Sequence, residues 1–108
     1  MIHKKIDKSN PKGWFVGPWN SKLQIPIGYA NQGINEPHLH TQMHEIYLVA
    51  KGWSKIQVRE DIIKLEEGDL IVVEPNEPHT FLENSSDYFH FVLQSPFVKG
   101  DKQLLLGY

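Results

Sequence analysis

Residues 33–52 read GINEPHLHTQMHEIYLVAKG and carry the strongest structural signal in the chain. His38 and His40 are two residues apart, so in an extended backbone both imidazoles leave the same face of a strand. Glu45 follows five residues after His40 and begins a strongly apolar run that ends near Gly52. The stretch therefore predicts two neighbouring strands, the second of which brings a carboxylate to the pair of imidazoles.

A second informative stretch, residues 68–84, reads GDLIVVEPNEPHTFLEN. His79 follows Pro78 at the start of another predicted strand and is the natural fourth donor for the same site. Neutral imidazole suits Zn, Fe, Mn, Ni, Co or Cu, and a carboxylate shifts the preference toward harder ions. The sequence predicts one divalent transition-metal ion held by His38, His40, Glu45 and His79.

The rest of the chain consists of short runs rich in Ile, Val, Phe and Tyr between clusters of Gly, Pro, Asn and Asp. This is the pattern of β-strands joined by tight turns, and no window has the apolar spacing of an amphipathic helix. The number of predicted strands, eight, is typical of a sandwich or barrel. The predicted strands are Trp14 to Val16, Leu23 to Ala30, Glu45 to Ala50, Ser54 to Val58, Ile62 to Leu65, Leu70 to Val73, His79 to Leu82 and Tyr88 to Leu93. The run from Leu104 to Leu106 predicts a closing strand or a helical turn.

Taken together, the two stretches resemble the two motifs of the cupin family. The first has a glycine, the HxH pair, Glu45 and then Gly52, and the second has a Gly-Asp pair, an apolar strand, a Pro-rich turn and His79. The resemblance implies an all-β fold, an antiparallel jelly-roll β-barrel, formed by one domain over residues 1–108. Residues 1–12 are expected to be a mobile N-terminal tail. The metal site is expected at the mouth of the barrel.

His44 is the alternative third ligand. Some small cupins resemble this chain in having an HE pair at this point, and they bind metal with four histidines. Counting back from Gly52 favours Glu45, and strand alternation then places Tyr47 and Val49 on the same inward face as Glu45. The residue of the pair that does not bind the ion is expected to support the site or to face an oligomer interface.

Composition excludes several classes of function. The 108 residues include 11 basic and 13 acidic side chains, a formal net charge of −2, which argues against a nucleic-acid partner. There is no cysteine, so disulfides, thiolate metal sites and cysteine nucleophiles are excluded. The apolar runs are far shorter than the roughly 20 residues needed to span a bilayer, so we expect no membrane partner and a cytoplasmic location.

The resemblance leaves two functions open, because one fold serves many reactions. The first is a metal-dependent enzyme, with dioxygenase-, isomerase- or decarboxylase-like chemistry, acting on a small oxygen-rich metabolite at the barrel mouth. No residue stands out as a dedicated acid or base, so no catalytic residue is assigned, and this favours oxidoreductase chemistry centred on the ion. The second is a non-catalytic module that binds or senses a small, sugar-like molecule.

Two further expectations concern the surface and the interior. The protein is expected to form a homodimer through apolar residues on the face away from the metal, namely Ile46, Leu48, Ile71 and Val73, because such a surface is poorly suited to water. His90 lies in a run that is apolar on both faces. It is therefore expected to be a cavity-lining or hydrogen-bonded core histidine, and not a ligand.

Overall fold

The computed structural model describes residues 1–105, which form ten strands and no helix. The strands are β1 (Lys12–Val16), β2 (Ile27–Ala30), β3 (His38–His40), β4 (His44–Lys51), β5 (Trp53–Val58), β6 (Asp61–Glu66), β7 (Leu70–Val73), β8 (His79–Asn84), β9 (Phe89–Ser95) and β10 (Lys102–Leu104). No helix in the described part of the chain has the length and apolar character to cross a membrane.

The strands form two five-stranded antiparallel sheets, with the orders β1-β2-β9-β4-β7 and β10-β3-β8-β5-β6. Strands that are neighbours in a sheet are often far apart in sequence: β4 pairs with β7 and β9, and β3 pairs with β8 and β10. The chain thus passes repeatedly from one sheet to the other. This arrangement confirms the predicted all-β antiparallel jelly-roll fold.

The core lies between the two sheets, where the inward faces of strands from both sheets meet. Ile56 is fully buried, and the phenol of Tyr88 is 1% exposed. The buried cluster consists of Tyr47, Val49, Ile56, Val58, Leu65, Val73, Phe81 and Tyr88. Tyr47 and Val49 therefore face inward, as strand alternation from Glu45 predicts.

Two turns depend on left-handed backbone. Gly68 has a φ of 90° between β6 and β7, where its N–H donates to the Val49 carbonyl, and a side chain there would be strained. Asn76, in the Pro-rich turn before β8, has a φ of 66°, a region that asparagine tolerates better than most residues. The backbone N–H of Asn76 donates to the His40 carbonyl at 2.6 Å, which holds this turn against the end of β3.

The observed strands differ from the predicted ones most at β1, β2, β3 and β10. β2 begins at Ile27 and not at Leu23, because Pro26 has no N–H to donate to a sheet. Residues 38–40 form a short strand of their own. A closing strand, β10, is present as Lys102–Leu104, so that it ends where the predicted run begins; Leu105 is in no strand, and Leu106 lies outside the described residues. Lys12, assigned to the tail, begins β1.

The prediction that four apolar residues of β4 and β7 point away from the metal is wrong for two of them, Ile71 and Val73. In β4 and β7, Glu45 is paired with Val73 and Tyr47 with Ile71, and directly opposed residues project from the same face of a sheet. Both residues consequently face the core, and Val73 is 2% exposed. The outward residues of β7 are Leu70 and Val72, which are 57% and 42% exposed.

Candidate metal centre

Four buried side chains from three strands meet between the sheets. His38 and His40 occupy the two ends of β3, and His79 begins β8, where it is directly paired with His38. Glu45 reaches the same point from β4, in the opposite sheet. One ligand atom from each of His38, His40, Glu45 and His79 lies within 4.8 Å of all the others, so the group is able to hold a metal ion.

The carboxylate oxygen Oε1 of Glu45 is the centre of this cluster. It lies 3.7 Å from Nε2 of His38, 3.4 Å from Nε2 of His40 and 3.1 Å from Nε2 of His79. Three imidazole nitrogens and a carboxylate oxygen are a donor set suited to a first-row divalent ion.

Backbone carbonyls orient two of the three imidazoles. Nδ1 of His38 lies 2.6 Å from the Glu36 carbonyl oxygen, and Nδ1 of His79 lies 2.9 Å from the Glu77 carbonyl oxygen. A carbonyl only accepts hydrogen bonds, so each Nδ1 carries the proton and donates it. In the neutral ring the lone pair is then on Nε2, which faces Glu45, as in metal-binding histidines.

His40 provides an independent indication that a cation belongs here. The residue is 4% exposed, and neither of its ring nitrogens has a hydrogen-bond partner within residues 1–105. A buried polar atom without a partner is costly. A metal ion between His40 Nε2 and Glu45 would remove one of these two deficits, so the residues present fit such an ion.

Glu45 is itself held by two further residues. Tyr47 donates its hydroxyl hydrogen to Oε1 at 2.6 Å, and Gln94 donates from Nε2 to Oε2 at 3.0 Å. Burial alone would raise the pKa of the Glu45 carboxyl, but hydrogen bonds from imidazoles that carry a proton on Nε2, and from Tyr47, outweigh burial and hold the pKa well below its usual range; a bound metal ion would take the place of those Nε2 protons. Burial and the adjacent carboxylate raise the pKa of Tyr47 well above its usual value, so the phenol stays protonated and remains a donor.

The structure brings Glu45, and not His44, to the three histidines. His44 precedes Glu45 in β4, so its side chain leaves the other face of the strand, and it is half-buried opposite Ser95. Gln94, which holds Oε2 of Glu45, was missed by the sequence analysis. Its only signal is the register that pairs it with Glu45 across β4 and β9, and this register is not visible in the sequence.

An open cavity of about 400 Å³ lies against the cluster. Its wall includes three of the four residues, His38, His40 and Glu45, together with aromatic side chains and His90. Lys12 and Lys102 also line it, and the amine of Lys102 forms an ion pair with Glu36. His90 is buried and hydrogen-bonded to Tyr88, in agreement with the expected cavity-lining, hydrogen-bonded histidine.

Comparison with known proteins identifies the family to which these features belong. The family model described as "Cupin domain" matches residues 27–93, more than half of the chain. That range includes β2 to β8 and most of β9, and hence all four residues of the cluster. A search of curated proteins found no match.

Solved structures share the fold at low identity. Streptomyces Pac13, a nucleoside dehydratase whose structure with uridine is known, is 17% identical with a TM-score of 0.64, over 75% of this chain and 66% of that one. A cupin-like protein from Thermotoga maritima is 19% identical with a TM-score of 0.73, over 87% and 74% of the two chains. A cupin protein from Bacteroides fragilis is 19% identical with a TM-score of 0.68, over 99% and 90%. At these identities the comparisons show the fold alone.

Proposed function

We propose that this chain, which belongs to the cupin family, is a metal-dependent enzyme acting on a small oxygen-rich molecule. His38, His40, Glu45 and His79 would hold one divalent transition-metal ion. The observation that carries this proposal is the convergence of three Nε2 atoms on one carboxylate oxygen at the wall of an open cavity. The unpartnered Nε2 of His40, which faces Glu45, supports it.

The donor set suits Fe, Mn, Zn, Ni, Co or Cu. When bound, such an ion supplies Lewis-acid chemistry to a hydroxyl, enol or carbonyl oxygen, which is compatible with dioxygenase-, isomerase- or decarboxylase-like reactions. The protein residues orient the donors: the Glu36 and Glu77 carbonyls fix two imidazoles, and Tyr47 and Gln94 fix both oxygens of Glu45.

The cavity would bind the substrate. A volume of about 400 Å³ is within the range of small-molecule sites. Tyr29, Phe81 and Val92 offer apolar contact, and Lys12 is a basic residue of the wall, while the charge of Lys102 is paired with Glu36. That Pac13, a barrel of similar fold, is known with uridine supports a small-molecule ligand for this cavity.

A non-catalytic module that binds or senses a sugar-like molecule is the second candidate. The hydrogen bonding of Glu45 favours this second candidate, because Glu45 is the one carboxylate of residues 1–105 that lines the cavity. Both of its oxygens already accept hydrogen bonds, and Tyr47 is committed to donating to one of them. Neither group is therefore free to move a proton to or from a substrate.

Metal binding by matched variants tests the site. Purified protein is analysed for metal content, stripped with a chelator and titrated with Zn²⁺, Mn²⁺ and Fe²⁺ under anaerobic conditions. His79→Ala and Glu45→Gln are expected to lower the metal affinity by at least the roughly 10- to 100-fold typical of losing a supporting group. His44→Ala is the control, because His44 lies beside Glu45 but outside the cluster, and its affinity is expected to be unchanged.

The same variants separate the two functions. An enzyme that depends on the ion loses turnover after chelation and in His79→Ala while its circular dichroism spectrum is unchanged. A small molecule that binds equally well to native, chelated and His79→Ala protein would favour the binding module. Equal metal affinity in the native protein and both ligand variants would refute the site.

We also propose that two copies of the chain pair through the outer face of β4 and β7. Leu48 is opposed to Leu70, and Ile46 to Val72, so the apolar side chains form one continuous patch; Leu48 itself is 37% exposed. Covering such a patch removes apolar surface from water. Light scattering is expected to give the mass of a dimer, and Leu70→Lys that of a monomer; a monomeric native protein would contradict the proposal.

A further inference from the structure

Besides His38 and His40, the cavity wall contains a third histidine, His90, which is hydrogen-bonded to Tyr88. Tyr88 and His90 are almost fully buried, 1% and 3% exposed. The Tyr88 hydroxyl lies 2.7 Å from Nδ1 of His90. His90 lines the same cavity as His38, His40 and Glu45. His90 is not among the four residues that could hold an ion, so its position in the cavity wall requires a separate explanation.

The hydrogen bond determines which nitrogen of His90 carries the proton. Two groups lie close enough to act on the Tyr88 hydroxyl: Nδ1 of His90, at 2.7 Å, and the side chain of Ser54, which lowers the pKa of the phenol. A contact that lowers the pKa of a phenol is one in which the partner donates to the phenol oxygen, so Ser54 acts as a donor and the phenol hydrogen is left for Nδ1 of His90. Nδ1 of His90 is then the acceptor, and the neutral imidazole carries its proton on Nε2. Nε2 has no hydrogen-bond partner in the described chain, so its N–H is available to a bound molecule.

The surroundings keep both rings in these states near neutral pH. Burial lowers the pKa of His90 to about 4, although the Glu45 charge acts in the opposite direction. Burial raises the pKa of Tyr88 to about 12, with a smaller lowering from Ser54. An uncharged imidazole that faces a cavity offers a directed hydrogen bond without introducing an unpaired buried charge.

The aromatic ring of Tyr47 connects the two polar parts of the cavity. Its hydroxyl donates to Glu45 at 2.6 Å, and its ring centroid lies 5.0 Å from that of His90. Phe81 packs against both rings, with centroids 5.1 Å from Tyr47 and 5.5 Å from His90. A molecule in the cavity would therefore meet oxygen-binding chemistry at the cluster and a hydrogen-bond donor at His90, with an apolar wall between them.

We propose that His90 is a specificity-determining residue, whose Nε2–H donates to an acceptor oxygen of the substrate at the end of the molecule away from the metal cluster. Tyr88 is a positioning residue, which fixes the tautomer of His90. This inference rests on the proposed function and narrows its substrate class. The substrate carries two oxygen functions separated by a short apolar segment, one for the cluster and one carboxylate, carbonyl or hydroxyl oxygen for His90.

The tautomer is tested first, without metal or substrate. Long-range ¹H–¹⁵N NMR of ¹⁵N-labelled, metal-free protein distinguishes a protonated from an unprotonated ring nitrogen. Native protein is expected to show Nε2 protonated and Nδ1 unprotonated at pH 7. Tyr88→Phe is expected to populate both tautomers. A native His90 protonated on Nδ1 would overturn the inference and would leave the proposed metal site unaffected.

Binding is tested with the zinc-loaded protein and the straight-chain dicarboxylates from malonate to adipate, by calorimetry. One chain length is expected to bind most tightly, because only that length joins the cluster to His90. The double variant Tyr88→Phe/His90→Phe removes both hydrogen-bonding partners and keeps the aromatic packing, so it is expected to fold. The double variant should bind the preferred dicarboxylate about 10-fold more weakly, which is the effect of one lost hydrogen bond. Its affinity for malonate should be the same as that of native protein.

Zinc affinity, measured in parallel, keeps this inference separate from the proposed function. Equal zinc affinity in native and double-variant protein, together with a loss confined to the preferred length, supports the role of His90. A series in which no dicarboxylate loses affinity in the variant, or all lose it equally, would overturn that role. Native protein that does not bind zinc would refute the metal site, while the tautomer measurement would still decide the state of His90.

Discussion

Asp101 connects the C-terminal segment to the loop between two of the cluster strands, and Asp101→Asn should be strongly destabilising. The carboxylate, 7% exposed, accepts four hydrogen bonds. Oδ1 accepts from the backbone N–H of Thr41 at 2.9 Å and from the Thr41 hydroxyl. Oδ2 accepts from the N–H groups of Gln42 and Met43, both at 2.9 Å. These residues follow His40 and precede Glu45, so one side chain organises the turn between two predicted ligands.

The size of the effect follows from this geometry. In asparagine, one of the two oxygens becomes an NH₂ group, which cannot accept, so two of the four hydrogen bonds are lost in either orientation. Hydrogen bonds to a charged group contribute roughly 1.5 to 3 kcal/mol each. Because solvent can reach part of this turn, we expect the lower end of that range, about 3 kcal/mol in all. The corresponding loss in Tm is roughly 10 to 20 °C for a domain of this size.

The pH dependence of stability supplies a second measure. Burial alone would raise the pKa of Asp101, but the hydrogen bonds from residues 41–43 outweigh it and lower the pKa to about 2, from 3.8 for a free side chain. The unfolded chain therefore binds a proton at higher pH than the folded one. The stabilisation is present above pH 4 and is lost as the pH falls through 2. The difference between native and Asp101→Asn protein should shrink over this interval.

Urea denaturation followed by circular dichroism, at several pH values, measures both effects. Asp61→Asn is the control, because Asp61 is an exposed acidic residue at the start of β6 and the substitution makes the same change in charge. It is expected to change the free energy of unfolding by less than about 0.5 kcal/mol. If Asp101→Asn is no less stable than the control, or if its deficit is constant from pH 4 to 2, the turn does not depend on this carboxylate.

Three further variants test other contacts. Gln94→Ala removes the donor to Oε2 of Glu45 and should lower zinc affinity about 10-fold in calorimetry, with near-native unfolding; unchanged affinity would exclude a supporting role. Burial lowers the pKa of His90 from 6.5 to about 4, so the unfolded chain takes up a proton at a higher pH than the folded protein does. The free energy of unfolding should therefore decrease between pH 6.5 and pH 4, and it should decrease more in native protein than in His90→Phe. An equal decrease in the two proteins, measured by urea denaturation, would contradict this. Gly33→Ala would place a Cβ 2.4 Å from Cγ of the buried Phe81 ring and should cost about 1 to 3 kcal/mol of unfolding free energy; a neutral change would mean that the ring moves readily.

The sequence was informative where the structure is local. The HxH pair needs only strand alternation to place both imidazoles on one face, and His38 and His40 are indeed the two ends of β3. The same alternation separates Glu45 from His44. In each case the evidence lies within a few residues of the feature, so a pattern along the chain was sufficient.

Features set by the pairing of distant strands could not be predicted. The error at Ile71 and Val73 arose because a continuous apolar strand does not reveal which alternate residues face the core; the register with β4 decides it. Gln94 meets Glu45 from 49 positions away, and Asp101 meets Thr41 from 60 positions away. Neither contact leaves a periodic trace in the sequence.

Within the site, the proposed metal ligands are recognisable from the sequence, whereas the groups that orient them are not. The four residues that meet at Oε1 of Glu45 are recognisable because donor chemistry restricts them to His and Glu at fixed spacings. The groups that orient them are not so restricted: two are backbone carbonyls, of Glu36 and Glu77, which any residue could supply. The donors to Glu45 are an amide and a phenol, residue types common throughout strands. Supporting interactions of this kind are therefore found from geometry, and the cavity beyond them is where this chain is free to differ from barrels of the same fold.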